Sequence, residues 1–456
     1  MPALEPAGPA AQKLEAAASR GGLVVTGGQQ PGLFGGPLYV LYKAVSLLEM
    51  AAALESLTSL PVAPVFWAAT DDADFVEASH VSVVNDGRLE RLTMPDPAIT
   101  GLSMSQTPLG DVSGLLDRLR EACNNDVKGD YVHAVRDSYN ETATVGSAYV
   151  ELLRSLLAPL GVSVLDAAHP AVRAAGHDTL KAALITAETI SDRLKDRAAE
   201  ISDAGYRPQV AHVPNLSLVF ETMDDGTRRR VPIHEAVRVA ATVSASRLGP
   251  NVLLRPVMER QILPTVTYVG GPGEIAYFAQ VSAVASAIVP SPPRIVPRWS
   301  GTFIETGVDA MLDHLGATVD DFLDPHGIEG RVARDAMSPV VRAAMDDIRR
   351  SAASATERMR GDAQTTEALA RSIGSMQAGV EHRLGRLERR YAAAVKQRGT
   401  HELREVAHVR AELFPGGTAQ ERVLSFIPYL ARHGTAFLDS VRDAARQHAD
   451  RIIQGD

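Results

Sequence analysis

Three stretches of this chain carry residue types and spacings able to do chemistry. Two are glycine-rich loops, Gly27-Gly28-Gln29-Gln30-Pro31-Gly32-Leu33-Phe34-Gly35-Gly36 and Gly270-Gly271-Pro272-Gly273. Each follows an apolar run and precedes a helical pattern. Glycine lets backbone approach a ligand closely, and a helix N-terminus offers unpaired N–H groups to phosphate or carboxylate. Neither loop completes G-x-G-x-x-G, and no Gly-Lys-Ser/Thr follows, so a tight turn that binds nothing competes for each alone. Two such loops in one chain favour a ligand site, because in an open sheet both sit at carboxyl ends of strands.

The third stretch is acidic: Asp71, Asp72 and Asp74, with Glu77 and His80 behind them. Carboxylates at a strand end can hold Mg²⁺ with substrate phosphates, hold a substrate ammonium, or act as a general base if burial raises their pKa. A solvated helix N-terminus, where the dipole favours acids, is the competing reading. His80 reads equally as a packed surface histidine and as a catalytic one. Arg255 and Arg298 flank predicted strands, where arginine can clamp carboxylate or phosphate bidentately. Arg228, Arg229 and Arg230 read as a solvated edge. The single cysteine, Cys123, has no neighbouring base or cation in sequence and reads as a bystander. No metal-ligand spacing, GxSxG elbow or HExxH occurs.

The elements that must position these residues are legible as two separated βαβ units. Leu23-Val24-Val25-Thr26 is a short β-branched run bounded by glycine, the mark of a buried strand. Pro37 then opens a helix of about 20 residues through Leu38, Leu41, Val45 and Leu48, and Val62–Thr70 forms the next strand. The second unit comprises strand Leu263–Val269, the loop at 270–273, a helix over Glu274–Ile288 and strand Arg294–Pro297. Between them, residues 110–205 are largely helical with a strand at Gly161–Leu165. Residues 206–262 read as short strands with a hairpin turn at Asp224-Asp225-Gly226. Residues 1–18 read as a frayed tail or a short surface helix.

The C-terminal part differs. Ser338-Pro339 suits an N-cap and first turn, and no proline follows until Pro415. Apolar residues at Leu369, Ile373, Met376, Val380, Leu384, Leu387, Tyr391 and Val395 step by three or four, and from Ile373 the pattern repeats every 11 residues. Such a narrow seam predicts a coiled coil or an extended helical hairpin. A helix over 401–413 ends at Phe414-Pro415-Gly416-Gly417, and Thr418-Ala419-Gln420-Glu421 has the form of a capping box.

Composition bounds the rest. A chain of 456 residues exceeds one hydrophobic core, so two or three units are expected. With 45% apolar and 22% charged residues it can bury a sizeable core. A net charge of −9 argues against a general nucleic-acid or acidic-membrane binder. No signal-peptide h-region and no uninterrupted apolar span occur, so a cytoplasmic protein with no membrane partner is expected.

With these residues in hand, a resemblance is specific. Thr26 to Lys43, TGGQQPGLFGGPLYVLYK, resembles the opening motif of the cysteine ligases of bacillithiol biosynthesis. VFWAATDDADFVEASH (65–80) and RPVMERQILPTVTYVGGPGEIAY (255–277) are similar to their second and third motifs. Pro297-Arg298, Phe303-Ile304-Glu305, LFPGGTAQERV (413–423) and Gly434 follow in the family's order, so the resemblance spans nearly the whole chain.

The resemblance implies an α/β fold: a Rossmann-like nucleotidyltransferase core akin to class I aminoacyl-tRNA synthetases, with connecting insertions and a C-terminal α-helical coiled coil that pairs two subunits. The corresponding divisions are 1–110 for the first half of the core, 111–262 for the insertions, 263–335 for the second half and 336–456 for the helical arm. It also implies a reaction, joining the cysteine carboxyl to the amine of glucosaminyl-malate. ATP is the implied partner, through an adenylate or an acyl phosphate, with the use of Mg²⁺ open. Carried onto this chain, Asp72, Asp74 and His80 are candidate catalytic residues. Gln29, Gln30, Gly35, Gly36, Tyr39, Lys43, Asp71, Arg255, Gly270, Gly271, Glu274, Tyr277 and Arg298 are candidate binding residues. Within that set, backbone N–H groups near Gly36 would hold phosphate or carboxylate, Asp72 and Asp74 the cysteine ammonium or a metal, and Arg298 an anion. One departure stands out: the family's Glu-Asp-His-Asp is here Asp71-Asp72-Ala73-Asp74, without the imidazole. A ligase for another amine or amino acid, and a non-catalytic nucleotide-binding coiled-coil dimer, are the alternatives.

Overall fold

The computed structural model describes residues 2–124, 131–288, 294–324, 327–362, 364–398 and 401–455, without the side chains of residues 392 and 395–398. It divides into two compact units. The first comprises Met1–Val83, Glu90–Gly301 and Glu421–Asp456, and the second Val84–Leu89 and Thr302–Gln420.

The first unit is built on five parallel strands: β1 (Leu23–Gln29), β2 (Val62–Ala68), β3 (Ser163–Asp166), β4 (Thr265–Gly270) and β5 (Arg294–Pro297). Their spatial order is β5-β4-β1-β2-β3, and every neighbouring pair is parallel. This is the strand order of a Rossmann sheet, whose direction of progression reverses between β1 and β4. Ligands of open α/β sheets bind outside the carboxyl ends of the strands at that reversal. Parallel sheets are covered on both faces, and β2 is accordingly buried along its whole length.

β1 runs three residues further than its apolar stretch suggests, because Gly27 and Gly28 belong to the strand and not to the loop. Packing explains it. A Cβ on Gly27 would lie 2.5 Å from the Val269 carbonyl oxygen, and one on Gly28 2.5 Å from that of Trp67. Only glycine lets β1 sit this close to its neighbours. β2 ends two residues earlier than expected, at Ala68, where the chain leaves the sheet to form the acidic turn.

Helix α1 (Leu38–Thr58) follows the first glycine loop, with Pro37 as its N-cap rather than in its first turn. Its first fourteen residues are buried but for Tyr39, which is half-buried, and they carry Lys43, Ser46 and Glu49 into the interior. The last helix, Thr435–Gln454, packs along it, and Arg442 reaches Glu49 at 2.8 Å. Two further helices matter for the site, α2 (Arg255–Ile262) and α3 (Pro272–Ile288). The segment read as all short strands therefore contains α2 and the helix Ile233–Thr242 as well as the strands Leu216–Thr222 and Arg228–Pro232. The hairpin turn is where the sequence places it, with Gly226 at φ +83°. Residues Gly8–Ser19 form a helix packed on β2, not a frayed tail.

The second unit is helical. Val308, Leu312, Phe322, Ile328, Val332, Val406, Val409 and Leu413 form its small core. Two long helices, α4 (Pro339–Gly361) and α5 (Glu367–Arg398), form the expected hairpin. Arg349 reaches Glu388 at 2.5 Å and Glu381 at 3.5 Å, while Thr356 faces Gln377, so residue numbers fall on one helix as they rise on the other and the pair is antiparallel. Leu384 is buried on this hairpin and Ile373 and Val380 are half-buried, whereas Leu369, Met376, Leu387 and Tyr391 are exposed. Val395, the last seam position, lies outside the described side chains. No helix among the described residues is long and apolar enough to cross a membrane.

Candidate active site

A cavity of about 820 Å³ opens at the carboxyl ends of β1 and β4, at the point where strand order reverses. Gln29, Gln30, Tyr39 and Lys43 reach it from the first glycine loop and α1, and Asp71 and Asp72 from the turn after β2. Arg255 reaches it from α2, Gly271, Glu274 and Tyr277 from the start of α3, and Arg298 from just beyond β5. Both glycine loops and three of the four acids, Asp71, Asp72 and Glu77, thus share one pocket.

Its floor is a buried ion pair. Lys43 Nζ lies 2.5 Å from Glu274 Oε2 and also donates to the Gly28 carbonyl at 2.6 Å and to Gln29 Oε1 at 3.1 Å, which uses all three ammonium protons. Glu274 in turn accepts from the Gly271 amide at 2.7 Å and the Tyr268 hydroxyl at 2.7 Å. Burial alone would raise the Glu274 carboxyl. The Lys43 ammonium, the Gly271 amide and the Tyr268 hydroxyl outweigh it and hold the carboxyl below its ordinary value. Lys43 and Glu274 therefore join the two βαβ units and leave no spare donor for a ligand.

Arg298 is likewise spent. Its guanidinium forks onto Glu421, Nη2 to Oε1 at 2.6 Å and Nη1 to Oε2 at 2.8 Å, and Ser300 adds a hydroxyl to Oε1 at 2.8 Å. The anion Arg298 holds is thus a carboxylate of this chain. The Glu421 carboxyl, which burial alone would raise, is held low by that guanidinium.

The acidic set divides. Asp72 accepts from Gln30 Nε2 at 2.5 Å and from the amides of Ala73 and Asp74, which fixes its carboxylate at the cavity wall. Asp71 faces Arg228, whose guanidinium also donates to the Asp71 carbonyl and lies over the Phe220 ring. Asp74 is exposed and caps the short helix Phe75–Ala78 through the Glu77 amide at 3.1 Å, the solvated-terminus reading. Glu77 lines the cavity, and its carboxyl is raised by partial enclosure first and then by Asp74 and Asp72.

Besides Asp74, four expected binding or catalytic groups lie outside the cavity lining. The amides of Gly35 and Gly36 are committed to Gly32 and Leu33 carbonyls within their own turn, at 3.1 and 3.0 Å, and Gly35 also meets the Tyr139 hydroxyl. These two amides are therefore used within the turn, whereas the expectation had placed phosphate or carboxylate on backbone amides near Gly36. Gly270 closes β4, and its carbonyl takes the Arg298 amide at 2.9 Å. His80 lies in an adjoining cleft of about 330 Å³ with Nδ1 2.9 Å from the Val76 carbonyl, and burial and Arg91 lower its pKa.

The structure also adds residues that the sequence did not single out. Arg228 and Arg230 line the cavity while Arg229, on the opposite face of its strand, pairs with Glu221 and Glu235, so the triplet is no solvated edge. The alternation of a strand was the available signal. Glu259, one turn after Arg255 on α2, is wholly buried with neither oxygen hydrogen-bonded. Burial pushes its carboxyl up to about 7, against the pull of the Arg255 guanidinium. Cys123 is buried, and burial pushes its thiol up to about 11. Among the described residues no group of three or more His, Cys, Asp or Glu is arranged to hold a metal.

A Rossmann-type sheet with its cavity at the strand-order reversal and a separate helical hairpin defines the class. The chain belongs to the BshC family: residues 4–299 match the model "Bacillithiol biosynthesis BshC, N-terminal Rossmann-like domain", and residues 301–452 match "Bacillithiol biosynthesis BshC, C-terminal coiled-coil domain". A relative from Solibacter usitatus is 30% identical over 473 residues, covering 99% of this chain and 88% of its own length. One from Koribacter versatilis is 32% identical over 449 residues, covering 93% and 82%. One from Salinibacter ruber is 28% identical, covering 93% and 81%. All three bear the name "Putative cysteine ligase BshC".

Proposed function

We propose that this protein is an ATP-dependent cysteine ligase that joins the carboxyl of L-cysteine to the amine of glucosaminyl-malate, the last step of bacillithiol synthesis. The observation that carries it is the gathering of residues from all three family-like motifs, and of Glu421 behind Arg298, around one cavity at the strand-order reversal.

A free carboxylate does not acylate an amine, so its oxygen attacks ATP, at the α-phosphorus to give an adenylate with release of pyrophosphate or at the γ-phosphorus to give an acyl phosphate with release of ADP. The amine nitrogen then bonds to that carbon, AMP or phosphate departs, and the nitrogen loses a proton. Asp72, fixed by Gln30 and two amides, holds the cysteine ammonium. Glu77, with its carboxyl raised, takes the proton from the attacking amine. Mg²⁺ bound to the ATP phosphates would offset their charge during activation. The setting is cytoplasmic, and the exposed seam of the helical hairpin pairs two copies of the chain.

Mass spectrometry of the protein incubated with ATP, Mg²⁺, cysteine and glucosaminyl-malate tests the reading. Bacillithiol is expected, and its loss in a folded Asp72→Ala variant. Product from serine or alanine in preference to cysteine would redirect the assignment to another amino acid, a reading that Ala73 in place of the family's histidine favours. No ATP consumption with any amine would leave a nucleotide-binding scaffold.

A further inference from the structure

The cleft of about 330 Å³ beside the cavity is a second built space that the residues above do not use. Gln30, Tyr39, Glu77 and Arg422 line both, so the two spaces share a wall. The far side of the cleft is formed by the strand His80–Asn85 and by Arg91 on the strand Arg88–Thr93.

Its charge is distinctive. Every other arginine at the main cavity is engaged: Arg298 by Glu421, Arg228 by Asp71, Arg230 by the Ser217 carbonyl and Arg255 by Tyr277. Arg91 and Arg422 make no hydrogen bond or ion pair through their guanidinium groups among the described residues. Arg422 is nonetheless held in place from both sides. Glu421 before it is locked on Arg298, and after it the Val423 and Leu424 carbonyls accept the amides of Ser82 and Leu38 at 3.3 and 2.8 Å. Both side chains are exposed, so the cleft offers two solvated guanidinium groups, of which Arg422 sits on a fixed backbone and acts electrostatically on Glu77. Glu77, the one carboxylate among the cleft's lining residues, lines the main cavity as well.

We propose that this cleft is the acceptor subsite, in which Arg91 and Arg422 bind the two carboxylates of the acceptor's malyl group and so direct its amine across the shared wall toward the activated cysteine carboxyl. The inference rests on the ligase reading above for the identity of the acceptor. Two carboxylates are matched by two cations, and Arg422, which lines both spaces, and Arg91, which lines the cleft alone, supply them. The sugar amine then lies at Glu77, the proton acceptor. His80 lines the same cleft and helps shape it, so its place is at the acceptor and not at the cysteine carboxyl.

The test is calorimetric titration of the full-length protein with glucosaminyl-malate, malate, glucosamine and ATP, for wild type, Arg91→Gln and Arg422→Gln, with thermal melts to confirm folding. Wild type is expected to bind glucosaminyl-malate and, more weakly, malate. Each substitution should weaken both by about tenfold, as expected for loss of one charge-assisted contact, and leave ATP binding unchanged. Turnover by Arg91→Gln should show a raised KM for the acceptor with KM for cysteine unchanged. Equal affinity of Arg91→Gln and wild type for both malyl compounds overturns the subsite, as does a loss confined to ATP, which would make the anion a phosphate. The ligase reading fails separately: malate binding that depends on Arg91, with no product from cysteine, keeps the dicarboxylate subsite and removes the reaction.

Discussion

The Lys43 ammonium and the Glu274 carboxylate meet at 2.5 Å across 231 residues of sequence, and through them the helix after β1 is tied to the helix after β4. Every proton of the ammonium and both oxygens of the carboxylate are engaged, so the pair is a structural joint at the base of the cavity. Removing one member of a buried pair leaves the other charge uncompensated, at a cost of roughly 3–5 kcal/mol. Lys43→Met and Glu274→Gln should each lower stability by that order, and the double variant by clearly less than the two losses combined. Urea unfolding of all four proteins measures the coupling. Strict additivity would mean that the two side chains do not stabilise each other.

Glu259 predicts a pH dependence. Its carboxyl is raised from 4.5 to about 7 in the fold. The folded state therefore holds this proton more tightly than the unfolded chain. The stability it confers is full below about 4.5, falls as pH rises, and is gone above about 7, a change of about 3 kcal/mol. Glu259→Gln keeps the shape without the titration. Its stability relative to wild type should rise between pH 5 and pH 8, as read from urea midpoints at both values, where other groups titrate alike in the two proteins. A difference independent of pH would mean that Glu259 is ionised throughout.

Ala73 is half-buried at the cavity wall, and its amide already binds Asp72. Ala73→His restores the family's imidazole without altering that backbone contact. If an imidazole stabilises charge as the carboxyl is activated, kcat for amide formation should rise about tenfold or more, with little change in KM for cysteine. Steady-state kinetics of the two proteins decide it, and an unchanged kcat would show that the site works without the ring.

On the helical hairpin, Leu387 and Tyr391 are 42% and 39% exposed, in line with Leu369 and Met376. The proposed pairing of two copies would cover this apolar strip. Sedimentation should show a dimer for the wild type and a monomer for Leu387→Glu/Tyr391→Glu, with helical content by circular dichroism preserved. A monomeric wild type would refute the pairing.

Much of the scaffold was legible because its signals are local. Short apolar runs, the first bounded by glycine, gave four of the five core strands directly, and the fifth, Ser163–Asp166, was displaced by only one or two residues. The helical hairpin followed from apolar spacing. The misreadings share a cause. Gly27 and Gly28 look like turn residues, yet they are strand residues whose missing Cβ atoms admit Val269 and Trp67. The helices at Ile233–Thr242 and Arg255–Ile262 are short, and short apolar stretches do not distinguish helix from strand.

What the sequence determined by itself was the order of elements, the two glycine loops, the acidic turn and the residue types available for chemistry, since each depends on neighbours a few positions apart. What only the tertiary structure decided was how the charges are shared out. Lys43 and Arg298 looked available to a ligand and are spent on Glu274 and Glu421, while Arg228, seemingly a solvated edge, lines the cavity, and Arg91 and Arg422 are left open to the neighbouring cleft. Ion pairing in a buried site is set by proximity and desolvation, and residues 123 or 231 positions apart become neighbours only when the sheet brings its carboxyl ends together.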